Sequence, residues 1–313
     1  FHLKNVALIT YPAIGDSLLL MTVAHNFRQH GARVTVFGPH VHTLRAWFPG
    51  LDIQPSLPAD TAAARLAAFD MVMQLHDDRP FADLGRLHPC AFTLEHLCRQ
   101  RSPKSMALRL AEFCRAKLDL AGAVKYNGIC APTGLHHRQH ALRVAIHPTA
   151  STQDKCWLPQ RFIALARHLR RKGFDPHFVV SPAERPQWTH VQELGLGLPD
   201  LGSLDNVAAW MFESGWFIGN DSGIGHLASS LHVPTLSLFK RLGSAQTWRP
   251  DWGPGRIVIG SAYIPAGRLK ERIWKYALTP GRAARAFARL HAEQQATAPA
   301  ATPRFQPGIT PLR

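Results

Sequence analysis

The chain has 313 residues, enough for two domains of about 150 residues, each with a sizeable core. Its 46% hydrophobic and 18% charged content is that of a globular protein, and no apolar run approaches the ~20 residues needed to cross a bilayer. Thirty-six Lys and Arg against 21 Asp and Glu give a formal charge of +15, which points to a polyanionic partner: nucleic acid, an anionic membrane surface or a phosphorylated substrate.

The five cysteines (Cys90, Cys98, Cys114, Cys130, Cys156) are odd in number and form no Cys-x-x-Cys pair. They offer no zinc or disulfide framework and fit a reducing cytosol. No secretory-signal pattern is visible in the opening residues, which lead straight into a strand-like segment. A basic stripe with interleaved aromatics is also lacking, so a nucleic-acid partner is not expected.

Taken in order, Val6–Thr10 reads as a strand, and Tyr11–Asp16 as a turn. Ser17–His30 reads as a helix ended by Gly31, and Arg33–Phe37 as the next strand. This βαβ opening puts a glycine turn at a strand's C-terminal end, where open α/β sheets hold ligands, yet it lacks Gly-x-Gly-x-x-Gly. Asp16 reads equally as a first-turn acid of the helix or as a catalytic carboxylate. Between residues 40 and 135, Asp70–Leu75 reads as a buried strand and Leu94–Leu118 as a mostly helical, basic stretch. Arg79, Arg86, Arg99, Arg101, Lys104, Arg109 and Arg115 lie in this half. They are phosphate ligands if several converge on one cleft, and solvated side chains if they do not. Ala131–His140 reads as an interdomain linker whose three histidines have no carboxylate or cysteine partner nearby. They are expected to be exposed, with no metal.

A second α/β unit opens with the strand Val144–Ile146 and the hydroxyl-rich turn His147–Thr152. Asp154–Pro159 then leads into a helix ending near Arg171. Lys155 is either a diphosphate ligand or a surface lysine. His177–Ser181 reads as a strand, with Glu184 just past its end, where an acid can accept hydrogen bonds from a ribose diol. Asp205–Ser214 reads as a helix. The polar residues of the last third gather between two apolar runs, Trp216–Ile218 and Val233–Phe239. Asn220, Asp221, Ser222 and Gly223 turn there into the small-residue helix Ile224–Leu231. A carboxylate, a hydroxyl and free N–H groups at a helix start favour anions such as phosphates. Two helical pieces, Arg268–Tyr276 and Gly281–Gln294, precede an Ala/Pro/Thr tail, Ala296–Arg313, with a disordered composition.

The simplest arrangement is α/β: two Rossmann-like domains facing each other across a cleft. Residues 1–135 form an acceptor side, 136–280 a nucleotide side, and 281–313 a helix and extended tail. Three motifs sharpen this reading: Gly15-Asp16; His147-Pro148 through Lys155-Cys156-Trp157-Leu158-Pro159; and Asp221-Ser222-Gly223-Ile224-Gly225-His226-Leu227-Ala228. The last is similar to the Asp-[Ser/Thr]-Gly-x-x-His-Leu-Ala signature of family 9 glycosyltransferases. These are the heptosyltransferases of lipopolysaccharide core assembly, of the GT-B fold, and the chain resembles them over about residues 4–290.

The resemblance implies an inverting, metal-independent transferase with no cofactor, whose donor, ADP-L-glycero-β-D-manno-heptose, is a substrate. Asp16 falls where the family has its general base. Ser151, Lys155, Asp221, Ser222 and Gly223 fall where the donor's phosphates and sugar are held, and Glu184 where an acid meets the nucleoside. His226, one turn into the helix, either reaches the diphosphate or packs. The implied acceptor is a phosphorylated or lipid-linked inner-core glycan. The charge suits a cytoplasmic enzyme peripheral on an anionic inner membrane. Pro12 and Ala13 stand where members often carry two serines, and Ala150 changes the hydroxyl pair before the lysine. Two alternatives follow: another nucleotide-sugar or a protein or glycan acceptor, and a non-catalytic nucleotide-sugar-binding protein. With base and cradle in different domains, closure is expected to bring them together.

Overall fold

A computed structural model describes residues 4–260 and 269–297. The first unit is a sheet of β1 (Asn5–Ile9), β2 (Arg33–Phe37), β3 (Asp52–Gln54), β4 (Met71–Gln74) and β5 (Ala91–Thr93), in the order β3-β2-β1-β4-β5. The second comprises β6 (His140–His147), β7 (Asp175–Phe178), β8 (Ser214–Asn220), β9 (Thr235–Phe239) and β10 (Gly255–Ile259), in the order β10-β9-β8-β6-β7. Every pairing is parallel. Helical crossovers cover both faces of such sheets, which is why β4, β8 and β9 are buried along their whole length.

In each sheet the chain reverses its direction of growth at one place. β1 is flanked by β2 and β4, and β6 by β7 and β8. The crevice beyond the strand ends at such a switch point is the ligand position of doubly wound sheets. The two switch points face each other, and the loops after β1, β4, β6 and β8 meet there.

The helix Ile14–Gln29 explains how the units join. Its residues Ser17–Phe27 are buried without interruption, because it packs on Met106–Lys117 of its own unit and on Gly223–Ser230 of the other. A helix apolar around most of its circumference needs such cover on several sides. Its buried Asn26 is satisfied: Nδ2 donates to Thr22 O and Val124 O at 2.8 Å, and Oδ1 accepts from Val124 N at 2.8 Å. One apolar cluster therefore runs from Leu18, Met21 and Phe27 through to Phe217, Leu227, Ala228 and Trp252. Polar ties flank it: Trp47 Nε1 donates to Asp205 Oδ1 (2.8 Å), and Asp251 holds Ser105 Oγ (2.6 Å) and Lys125 Nζ (2.9 Å). The helix Pro280–Thr297 buries Ala283, Phe287 and Leu290 in the second unit's core.

Several elements differ from the sequence reading. The basic stretch after Leu94 splits into Glu95–Arg99 and Met106–Lys117. Pro103 lies in the break, and Ser105 caps the second piece, its Oγ accepting from Leu108 N at 3.3 Å. β6 starts at His140, which shortens the linker. β7 is Asp175–Phe178, an edge strand that tolerates Pro176 without its N–H. β3, β5 and β10 were not anticipated, the first two being three-residue strands with no apolar run. Residues 298–313 of the expected tail lie outside the described residues.

Candidate active site

A cavity of about 990 Å³ lies between the C-terminal ends of the two sheets, and all eight residues singled out from sequence line it. Asp16 comes from the first turn of the helix after β1. Ser151 and Lys155 come from the loop after β6, Glu184 from the loop after β7, and Asp221, Ser222, Gly223 and His226 from the strand end and helix after β8. Asp16 and the helix start lie together in this structure, as closed units would have them.

The close approach is set by glycines. A Cβ on Gly223 would stand 2.7 Å from Ile14 Cβ and 2.9 Å from Gly15 N, and one on Gly15 3.2 Å from His226 Cδ2. Two helix starts, one from each unit, thus abut at the cavity floor. His226 is buried against this seam, and burial holds its ring below the ordinary histidine range, hence neutral. Its Nδ1 has no partner among the described residues, and its ring meets Trp252 edge-on at 5.7 Å.

On the first unit's side of the cavity Asp16 is not alone. His76 Nε2 lies 3.0 Å from Asp16 Oδ2, and His76 Nδ1 lies 2.8 Å from Glu95 Oε2. Burial disfavours a charged ring here, but the hydrogen bonds to Asp16 and Glu95 outweigh it and hold His76 above its ordinary value. Arg79, stacked over Tyr11 at 5.1 Å, lines the same wall, as do Pro12 and Ala13.

On the second unit's side Lys155 Nζ is 3.0 Å from Asp221 Oδ2. Ser222 caps the helix Gly223–Ser230, its Oγ accepting from Gly225 N at 3.4 Å. An ammonium beside a helix N-terminus is a place for a diphosphate. Glu184 Oε2 accepts from Ser181 N (2.9 Å) and Ser181 Oγ (2.8 Å). Burial pushes this carboxyl up, but those bonds outweigh it and hold it below the usual range, hence ionised. Asn220, read from sequence only as part of the turn, is buried and ties the strand ends: its Oδ1 accepts from Trp157 N (3.0 Å) and its Nδ2 donates to Pro148 O (2.8 Å). His147 adds a second tie, Nδ1 donating to Val179 O at 2.8 Å. Fully buried and held neutral by desolvation, it leaves Nε2 to accept from Thr149 Oγ1 at 3.3 Å.

The seven basic residues singled out in the first unit do not converge on the cavity. Arg79 lines the cavity, whereas Arg101, Lys104 and Arg109 line a separate groove. Arg86 and Arg99 make exposed ion pairs, and Arg115 donates to Ala123 O. Of the linker histidines, His136 and His140 are exposed as expected, while the exposed His137 is anchored through Nε2 to Leu231 O at 3.0 Å. His76, Glu95 and Cys98 bring ligand atoms within 4.8 Å of one another. His76 Nδ1 is engaged by Glu95, and burial beside Glu95 and Asp16 pushes the Cys98 thiol up to about 12. His76 was findable, since it directly follows a strand read from sequence. Glu95 was masked by the reading of one long helix.

Among curated proteins, lipopolysaccharide heptosyltransferase 3 of Escherichia coli is 29% identical over 128 residues, 36% of this chain and 35% of that protein. The match thus spans about a third of the relative's length. Among solved structures, a family 9 glycosyl transferase from Veillonella parvula DSM 2008 superposes with a TM-score of 0.69 at 16% identity, over 94% of this chain and 99% of that one. The E. coli ADP-heptose LPS heptosyltransferase II does so at 0.70 and 14% identity, over 93% and 100%. The two-sheet architecture is accordingly the GT-B fold. The family described as Glycosyltransferase family 9 (heptosyltransferase) matches residues 101–271, more than half of the chain and spanning the Lys155, Glu184 and Asp221–His226 loops. The chain belongs to glycosyltransferase family 9.

Proposed function

We propose that the protein is an inverting glycosyltransferase that moves a heptose from ADP-L-glycero-β-D-manno-heptose to a hydroxyl of an anionic acceptor of the lipopolysaccharide-core type. The observation that carries this reading is the shared cavity, with a carboxylate from one unit facing a lysine and a helix start from the other. Asp16 takes the proton of the acceptor hydroxyl while that oxygen bonds to the anomeric carbon from the face opposite the leaving group. The bond from that carbon to the diphosphate breaks, and ADP departs with the charge spread over its phosphate oxygens. Lys155 and the N–H groups at Ser222–Gly223 meet that charge, so no metal ion is required for it. Asp221 orients Lys155 and the sugar, Ser151 adds a hydroxyl to the phosphates, and Glu184 accepts from the ribose. His226, a neutral ring at the floor, fixes the loop.

The acceptor enters beside Tyr11 and Arg79, whose guanidinium suits a phosphate or carboxylate. A charge of +15 supports work in the cytoplasm at an anionic membrane face. No helix among the described residues is long and apolar enough to cross a membrane. A second reading, a different donor or acceptor, is favoured by Pro12 and Ala13, which line the wall beside Asp16 without side-chain donors. ADP release from ADP-heptose with a de-acylated inner-core oligosaccharide is the test, repeated with Asp16→Ala and in excess EDTA. Turnover is expected to fall about 10²–10⁴-fold in Asp16→Ala, the usual contribution of a general base, and to survive EDTA. Unchanged turnover in Asp16→Ala refutes the base. ADP binding without release, whatever sugar acceptor is offered, favours a non-catalytic binding protein.

A further inference from the structure

We propose that His76 is a positioning residue for Asp16. It is clamped between Asp16 and Glu95 so that one oxygen of the Asp16 carboxylate is held and the other is presented to the cavity. The inference rests on Asp16 acting as the base of the reaction proposed above.

The topology builds this arrangement. β1, β4 and β5 are neighbours in that order, and their C-terminal ends deliver Asp16, His76 and Glu95 in a row. The distances are 3.0 Å on the Asp16 side and 2.8 Å on the Glu95 side. An ionised carboxylate only accepts hydrogen bonds. A ring that bridges two of them must donate from both nitrogens, which the imidazolium alone does. His76 is buried, with 7% of its side chain exposed, against 23% for Asp16 and 16% for Glu95. The charged clamp is therefore enclosed on the Glu95 side and open towards the cavity on the Asp16 side. Glu95 does not line the cavity.

The charged and titratable groups around the ring can be named element by element. The Ile14–Gln29 helix supplies Asp16, and the helix Glu95–Arg99 supplies Glu95 and the Cys98 thiol. The loop after β4 supplies Arg79, which opposes the ring's charge. Arg109, from the helix Met106–Lys117, acts on Cys98. Arg99 pairs with the other Glu95 oxygen, its Nε 3.3 Å from Oε1, and the two carboxylates outweigh Arg79 and burial to leave the ring protonated above its ordinary value of 6.5. As pH rises through the raised value, the ring loses one N–H and can donate to only one carboxylate at a time. In the fraction that donates to Glu95, Asp16 loses its fixed orientation.

The test has two parts. In the ligand-free full-length chain, ¹⁵N-histidine NMR follows all 18 rings, and His76 is identified by the resonance missing in His76→Gln. Both His76 nitrogens are expected to remain protonated above pH 6.5, and Glu95→Gln is expected to lower the midpoint. A wild-type His76 titrating at or below 6.5 overturns the clamp, whatever the enzyme does. In the ADP-release assay, wild-type kcat is expected to fall above the NMR midpoint, and Glu95→Gln to move that limb to lower pH with KM little changed. His76→Gln, which keeps a donor that does not titrate, is expected to lose the limb and about 10- to 100-fold in kcat, the scale of a catalytic group misplaced by ~1 Å. A limb that stays put in Glu95→Gln while the NMR midpoint moves overturns the positioning role. If the wild type releases no ADP, the transferase reading fails and the NMR result alone decides the clamp.

Discussion

Substituting Gly223 by Ala tests whether the seam between the two units sets the catalytic register. The added Cβ would lie 2.7 Å from Ile14 Cβ and 2.9 Å from Gly15 N. The first distance is about 1 Å inside the ~3.5–4.0 Å optimum for carbon pairs, and the second neighbour is backbone that cannot rotate away. The turn carrying Asp16 must therefore retreat from the helix start by something near 1 Å. Overpacking of this kind costs about 1–3 kcal/mol. At ~2–4 °C per kcal/mol for units of 150 residues or more, the thermal midpoint should drop by roughly 2–12 °C. A base displaced by ~1 Å should lower kcat about 100-fold. Differential scanning fluorimetry and ADP release read the two effects. Gly15→Ala, with its nearest contact at 3.2 Å to a side-chain atom, should be milder. Gly243→Ala, in the helix Leu242–Trp248 with nothing within 4 Å, should be neutral or stabilising by about 0.5–1 kcal/mol. A Gly223→Ala protein as stable and active as the Gly243→Ala control would refute the reasoning.

Lys155→Met removes the ammonium 3.0 Å from Asp221 and leaves that carboxylate facing the incoming diphosphate. ADP affinity by calorimetry should fall about 10- to 100-fold, the equivalent of ~1.5–3 kcal/mol for a charge-assisted hydrogen bond, and an unchanged Kd would reject the assignment. Glu184 is held below its ordinary 4.5 by Ser181, against burial. The ionised form is thus favoured by folding: its contribution is complete above 4.5 and is lost as pH falls through the lower folded value. Glu184→Gln should flatten the acid limb of the thermal midpoint below pH 4.5, and superimposable acid limbs would count against it. Asn220→Ala strips partners from Trp157 N and Pro148 O, both joined to it in the buried interior. The urea midpoint should shift by the equivalent of about 1–3 kcal/mol for each group left unpaired, and a shift near zero would show that water or a moved loop replaces Asn220.

The second unit's half of the site was legible because its physics is local. A small-residue helix start with Asp221 and Ser222 before it announces an anion site from the sequence itself, and strand β8 before it is an unbroken buried run. The surroundings of Asp16 in the first unit were not, because they depend on which strands are neighbours. His76 and Glu95 are 60 and 79 residues from Asp16 in sequence and meet it only through the order β1-β4-β5. The edge strands β3 and β5 have three residues each, too few for an alternation to register. The arginines follow the second of their two readings: Arg99 pairs with Glu95 and Asp77, Arg86 with Asp83, and Arg115 with a backbone carbonyl.

The division of the cavity between the two units also locates the chain's departures from the family resemblance. The groups proposed to meet the nucleotide, Ser151, Lys155, Glu184 and the Asp221–His226 turn, all come from the second unit. There the hydrogen-bonded frame of Asn220, His147 and Ser181 is satisfied. Pro12 and Ala13 come from the first unit, on the wall that carries Asp16. Replacing two hydroxyls by a ring and a methyl there removes donors from the side where the nucleophile enters. It leaves Arg79, Tyr11 and His76 as polar groups on the wall with Asp16. The substitution therefore bears on acceptor choice more than on donor choice. Restoring serines as Pro12→Ser and Ala13→Ser should change which acceptor is glycosylated while leaving ADP affinity within about twofold, under 0.5 kcal/mol. A large change in ADP affinity with acceptor preference unaltered would mean that this wall belongs to the donor.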